Sequence, residues 1–239
     1  MEPPSRLRLL ELWEHARGLH PLDRALTLAG AALPAAPPGA LADLSVGERD
    51  AALLALFCAA FGPRLRGYAD CPRCGERLEF DLDGRGLLVQ QPPAQPAPRT
   101  VLLASGAAFR LPTSRDLAAV LDAPDPDAAA RRLAALCRVE GEEAAPADLD
   151  DGVLAELEAR LAEADPQADV ELAFDCGGCG RPWRAPFDAA AWVWEEVEAR
   201  ATRLLGEVHV LARAYGWAER DILALGDARR AAYLELALA

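Results

Sequence analysis

Four of the six cysteines in this 239-residue chain stand in two matching steps, Cys71-Pro-Arg-Cys74-Gly75 and Cys176-Gly-Gly-Cys179-Gly180. A Cys-x-x-Cys turn presents two soft thiolates from one tight loop, and two such turns supply the tetrahedron that zinc prefers. Glycine after the second cysteine suits backbone that needs a positive φ. Four thiolates leave no open position for water or substrate, so Cys71, Cys74, Cys176 and Cys179 are expected to hold one structural Zn2+. The unusual feature is the gap of 101 residues between Cys74 and Cys176, against ~15–20 in a compact ribbon. Closing a flexible loop that long costs about 4 kcal/mol, whereas a structural zinc site contributes roughly 10–16 kcal/mol. The metal outweighs the loop. Two alternatives are weaker. A redox Cys-x-x-Cys belongs at a helix start in a βαβ setting, which neither copy has, and two disulfides do not suit a reducing compartment. Cys58 and Cys137 fall on apolar helix faces and are expected to be small buried hydrophobes.

No other residues assemble into chemistry. His15, His20 and His209 show no metal spacing, and no phosphate loop, dinucleotide fingerprint or nucleophile elbow is present. Ser105-Gly106 lacks the partners that would make Ser105 a nucleophile. Asp148, Asp150 and Asp151 are explained by capping and the helix dipole. The sequence therefore predicts no enzyme and no small-molecule substrate. A net charge of −13 and the absence of any basic block argue against a phosphate-tracking surface. Arg73, Arg77, Arg181 and Arg184, beside the cysteines, are the one feature that favours a nucleic-acid or transcription adaptor. The N-terminus interleaves charge with leucine and does not read as a signal peptide. The longest apolar run, Ala51 to Phe61, is too short to span a bilayer. A cytoplasmic protein with no membrane contact is expected.

The elements that must position the cysteines follow from periodicity and punctuation. Leu7, Leu9, Leu10, Leu12 and Trp13 predict a first helix, and Pro21 opens a second. A third runs roughly from Val46 to Phe61, stopped by Gly62-Pro63. Extended segments at Arg66 to Asp70 and Leu78 to Leu82 flank the first cysteine turn. Gln90 to Pro98 (QQPPAQPAP) is a proline-rich linker. Val101 to Leu103 and Ala108 to Leu111 predict a hairpin, Thr113 or Ser114 caps a helix through Leu121, and further helices span about Asp127 to Cys137 and Asp148 to Ala164. A second extended pair, Val170 to Asp175 and Pro182 to Phe187, flanks the second turn. Asp188 then caps a long helix to about Tyr215, whose apolar face is Val193, Val197, Ala201, Leu204, Val208, Leu211 and Tyr215. Gly216 ends it, and two short helices follow. The expected fold is α+β and mainly α-helical: a four-cysteine zinc-ribbon-like β element split by a long helical insertion, with a long C-terminal helix. Its segments are 1–63 (helical), 64–90 (first knuckle), 91–166 (linker and insertion), 167–188 (second knuckle) and 189–239 (helical). Trp192 and Trp194 cannot face the same side of a helix. Either one of them is exposed and open to a partner, or both are absorbed where the ribbon packs on that helix. The turn around Tyr215-Gly216-Trp217 is a second candidate partner surface, with internal packing as its alternative.

The run from Val170 to Leu225 resembles the T4-type phage baseplate protein family, whose best-known member is regarded as a baseplate hub assembly chaperone. The match is strongest at Glu207-Val208-His209-Val210-Leu211-Ala212, Tyr215-Gly216-Trp217, Ile222-Leu223-Ala224-Leu225 and Arg229-Arg230-Ala231-Ala232-Tyr233-Leu234. Phe109-Arg110-Leu111-Pro112-Thr113 and Asp165-Pro166 are similar to segments of proteins from tail and contractile-injection gene clusters. The resemblance covers about a third of the chain well and the middle loosely. It implies a protein that acts on baseplate, hub or tail proteins as a phage tail or tail-like injection machine is assembled. A permanent structural baseplate subunit is the neighbouring alternative.

Overall fold

The computed structural model describes residues 4–37, 39–89, 100–139 and 149–238. The expected linker at Gln90 to Pro98 and the expected helix start at Asp148 lie outside them. The fold is α+β and mainly helical, with small antiparallel sheets. Among the described residues no helix is long and apolar enough to cross a membrane.

Each element starts and stops for a local reason. Helix α1 (Arg6–Ala16) opens where the Ser5 hydroxyl accepts from the Arg8 amide. Helix α2 (Pro21–Ala32) opens on proline, with His20 Nδ1 accepting from the Leu22 amide. Helix α3 (Val46–Phe61) has a reciprocal cap: Glu48 N–H donates to Ser45 Oγ and the Ser45 amide to the Glu48 carboxylate. It ends at Gly62, whose φ of 88° is open only to glycine without strain. Strands β1 (Arg64–Asp70) and β2 (Arg77–Asp83) pair antiparallel, with Asp70 opposite Arg77 at the tip. After the inserted region, β6 (Glu171–Asp175) and β7 (Pro182–Pro186) form the second hairpin. Helix α7 (Ala189–Tyr215) begins at the Asp188 cap and stops at Gly216, φ 69°; its 27 residues span about 40 Å. Helices α8 (Glu219–Ala224) and α9 (Asp227–Leu238) close the chain.

The insertion is less purely helical than the sequence predicts. Strands β3 (Thr100–Leu102) and β4 (Ala108–Arg110) form the expected hairpin, but β5 (Arg138–Val139) adds a third strand against β4. A two-residue strand directly after a helix has no periodicity to betray it. Helices α4 (Ser114–Ala119), α5 (Pro126–Cys137) and α6 (Asp151–Ala164) surround this sheet. α4 ends two residues before the expected Leu121. Val101, Leu103, Phe109, Leu111, Ala134 and Leu157 make a small separate core here.

The main core joins segments far apart in sequence: Leu28 of α2, Leu53, Leu54 and Phe57 of α3, Leu65 of β1, Leu172 of β6, and Val193, Trp194 and Val197 of α7. The helical segments before the first hairpin and after the second therefore share one interior. The insertion is seated on this body at the start of α3. There the Gly47 amide donates to the Asp165 carboxylate at 2.9 Å, the Val46 amide donates to the Pro112 carbonyl at 3.0 Å, and buried Arg49 donates to Ser114 Oγ. The carboxylate of Asp165 thus caps a helix N-terminus, where the backbone dipole favours negative charge.

Candidate metal centre

The two hairpins place their tips side by side. Their knuckles are built alike. In the first, the Cys71 amide donates to the Glu76 carbonyl at 2.8 Å and the Gly75 amide to the Cys71 carbonyl at 2.9 Å. In the second, the Cys176 amide donates to the Arg181 carbonyl at 3.1 Å and the Gly180 amide to the Cys176 carbonyl at 2.8 Å. Gly75 and Gly180 have φ of 72° and 67°, as their place after the second cysteine predicts. Each turn aims both its sulfurs at the other. The Sγ atoms of Cys71, Cys74, Cys176 and Cys179 all lie within 4.8 Å of one another. Two close separations cross between hairpins, 3.5 Å for Cys74–Cys176 and 3.8 Å for Cys71–Cys179. A tetrahedral tetrathiolate with metal–sulfur bonds of ~2.3 Å has sulfurs about 3.8 Å apart, so the donor set and its dimensions fit a metal ion.

The four sulfurs shift one another's ionisation. Desolvation opposes ionisation of Cys71, but the amides of Arg73 and Cys74 and the thiols of Cys176 and Cys74 donate to it and bring its pKa down to about 7. The Glu76 amide favours the Cys74 thiolate, yet its hydrogen bond with Cys176, burial and the other two sulfurs push it up to about 12. Cys179 is also raised: the Arg181 amide works against the shift, and desolvation and Cys176 outweigh it. Four thiolates this close repel one another unless a cation sits among them.

What brings the hairpins together is not strand pairing. They are separate two-stranded sheets. An aromatic seam runs across them instead: Phe80 on β2 meets Phe174 on β6 at 5.4 Å between centroids, Phe174 stacks on Trp183 of β7 at 5.1 Å, and Trp192 of α7 meets Phe80 at 5.7 Å and Phe187 at 5.8 Å. Gly67 on β1 leaves the space that the Trp192 ring enters. The sequence carries a signal for this seam, an aromatic in each hairpin and a glycine in the first, but its partners are unreadable without the fold.

The seam corrects one expectation. Neither Trp192 nor Trp194 is exposed. Trp194 is buried in the main core with the Arg24 guanidinium 4.2 Å from its ring centroid, and Trp192 is half-buried in the seam. Opposite faces of α7 are both covered, one by helices and the other by the hairpins, so the two-residue offset exposes neither ring. Tyr215 and Trp217 do lie together at a partly exposed corner. Their rings stack at 4.7 Å, and Tyr233 of α9 packs edge-on against both.

The remaining predicted residues are placed as follows. Arg77 is bonded to Asp70 and lies over Tyr68, and Arg184 is paired with Glu171, while Arg73 and Arg181 are exposed. His209 is exposed and His20 is a helix cap. Cys137 is buried as expected, whereas Cys58 is only half-buried, against Gly84. No family model, no curated protein and no solved structure matches the chain.

Proposed function

We propose that this is a non-enzymatic assembly protein or chaperone for the baseplate or hub of a phage tail or tail-like contractile injection machine, acting through protein contacts on a scaffold stapled by one structural Zn2+. The observation that carries the scaffold is the convergence of four sulfurs within 4.8 Å from hairpins a hundred residues apart in sequence. Zinc is the metal chosen because a closed tetrathiolate tetrahedron is its habitual structural site. The tail-assembly part is supported by the resemblance of residues 170–234. The partly exposed corner of Tyr215, Trp217 and Tyr233 falls within that stretch and is the first candidate for partner contact. The site of action is the cytoplasm, where the thiols stay reduced.

Two measurements test this. Elemental analysis of protein purified under reducing conditions should find about one zinc per chain, and Cys74→Ser with Cys179→Ser should abolish it; metal-free wild-type protein would remove the scaffold. Co-expression with baseplate and hub proteins should give a complex that Trp217→Ala weakens, and no such complex would remove the assembly role. The exposed Arg73 and Arg181 favour a second reading, a zinc-ribbon adaptor for nucleic acid or transcription machinery. Tight, salt-resistant retardation of duplex DNA would shift the assignment there. Recovery of the protein in purified particles would instead make it a permanent baseplate subunit.

A further inference from the structure

The insertion contains an open groove of about 460 Å³ between α5 and α6, closed at one end by the start of α3. Its walls are aliphatic, with Leu117, Leu133, Leu154 and Leu161 facing a floor at Cys137. This volume is in the range of sites that take several apolar groups. Two residues on the lining, Glu158 and Asp169, are exposed carboxylates with no ion pair among the described residues. Five arginines of the insertion are already committed: Arg110 to Asp116, Arg115 to Asp43, Arg131 to Asp151, Arg132 to Asp122 and Arg160 to Glu163. The groove is thus apolar inside and negative at its margin.

The chain has no obvious filler of its own. The stretches outside the described residues near the insertion read QQPPAQPAPR at 90–99 and EGEEAAPAD at 140–148. Neither has a large aliphatic or aromatic side chain, and the second carries the same charge as the rim. A complementary occupant needs bulky apolar side chains on one face and positive charge beside them.

We propose that this groove docks an amphipathic α-helix of a partner protein, with large apolar residues at i, i+3 or i+4 and i+7, and Lys or Arg flanking them to meet Glu158 and Asp169. This is the helix-in-groove mode, in which apolar anchors supply affinity and flanking charges set orientation. The proposal stands on the groove and its rim and does not depend on the tail-assembly reading.

The probes are two labelled peptides of about 18 residues, long enough to become helical on binding. Both carry leucine at helical spacing, one with lysine and one with glutamate at the other positions. Fluorescence anisotropy against the full-length, metal-loaded protein should show the leucine–lysine peptide binding at least ~10-fold tighter than the leucine–glutamate one, with a salt dependence. Glu158→Arg with Asp169→Arg, both at exposed positions, should reverse that preference. Ala162→Trp, which fills the groove, should weaken binding of the lysine peptide ~10-fold. Lysine-peptide binding that Ala162→Trp leaves unchanged, in a variant whose thermal melt matches wild type, would reflect general attraction to an acidic protein and overturn the proposal. So would the charge-reversal pair failing to alter peptide preference. Displacement of a bound fluorescent fatty acid with no peptide binding would assign the groove to a lipid instead. Self-association in sedimentation, lost in Ala162→Trp, would assign it to a second copy.

Discussion

A methyl group at position 47 would sit 2.6 Å from Asp165 Cγ and 2.8 Å from the Ala168 backbone nitrogen, so the carboxylate that caps α3 would have to leave. Gly47→Ala is expected to cost about 2–3 kcal/mol in urea unfolding, the loss of a buried hydrogen bond to a charged group. An unchanged midpoint would show that the junction relaxes freely. Asp116 gives a pH signature in the same region. Desolvation would raise its pKa, but the paired bonds from Arg110 and those from Thr113 hold it below the ordinary carboxylate value. A carboxyl lowered in the folded state stabilises above its unfolded pKa, and that contribution is lost as pH falls through the folded value. Wild type should therefore lose stability faster than Asp116→Asn as pH drops below about 4. Parallel pH profiles would remove the argument. Asp50 has the opposite sign. Burial outweighs the help of Arg49 and raises it, so its cost is present above its folded pKa and is relieved in acid.

Among the elements, the two hairpins depend on different forces at their two ends. Near α7 they share the aromatic seam and the main core; at the tips they meet through the sulfur cluster and the approach of the Glu76 side chain to Gly178. In protein loaded with zinc, removing the ion with a chelator should free the tips and leave the feet in place. In hydrogen exchange, amides around residues 70–77 and 175–182 should lose protection while Val193 to Val197 on α7 keep theirs. Uniform loss across both would mean that the metal holds the whole body together, and no change would mean that the seam suffices. The cysteine pairs and their following glycines are legible in the sequence, because ligand chemistry and turn geometry are local. So are the starts of α2, α3 and α7, since Pro21, Ser45 and Asp188 act within one turn of themselves. The third strand of the insertion is not legible there, as Arg138–Val139 is extended only because β4 lies alongside it.

At the scale of the whole molecule, the chain closes on itself. Arg6 in the first helix donates to the Leu223 and Leu225 carbonyls and pairs with Asp227, and Arg230 joins Asp227 to Glu207 on α7. The insertion is held between the two cysteine pairs, so its groove is presented by a body whose first and last helices are tied. From the sequence alone came the two cysteine pairs, the long helix near the C-terminus and the acidic balance; all follow from residue type and short-range spacing. Only the tertiary structure decided that the two cysteine pairs meet, that Trp194 is buried and Trp192 half-buried in the seam, and that an apolar groove lies open between α5 and α6. Those outcomes depend on surfaces that are distant in the chain and are created only when several elements pack, and no local pattern records which surface a side chain will meet.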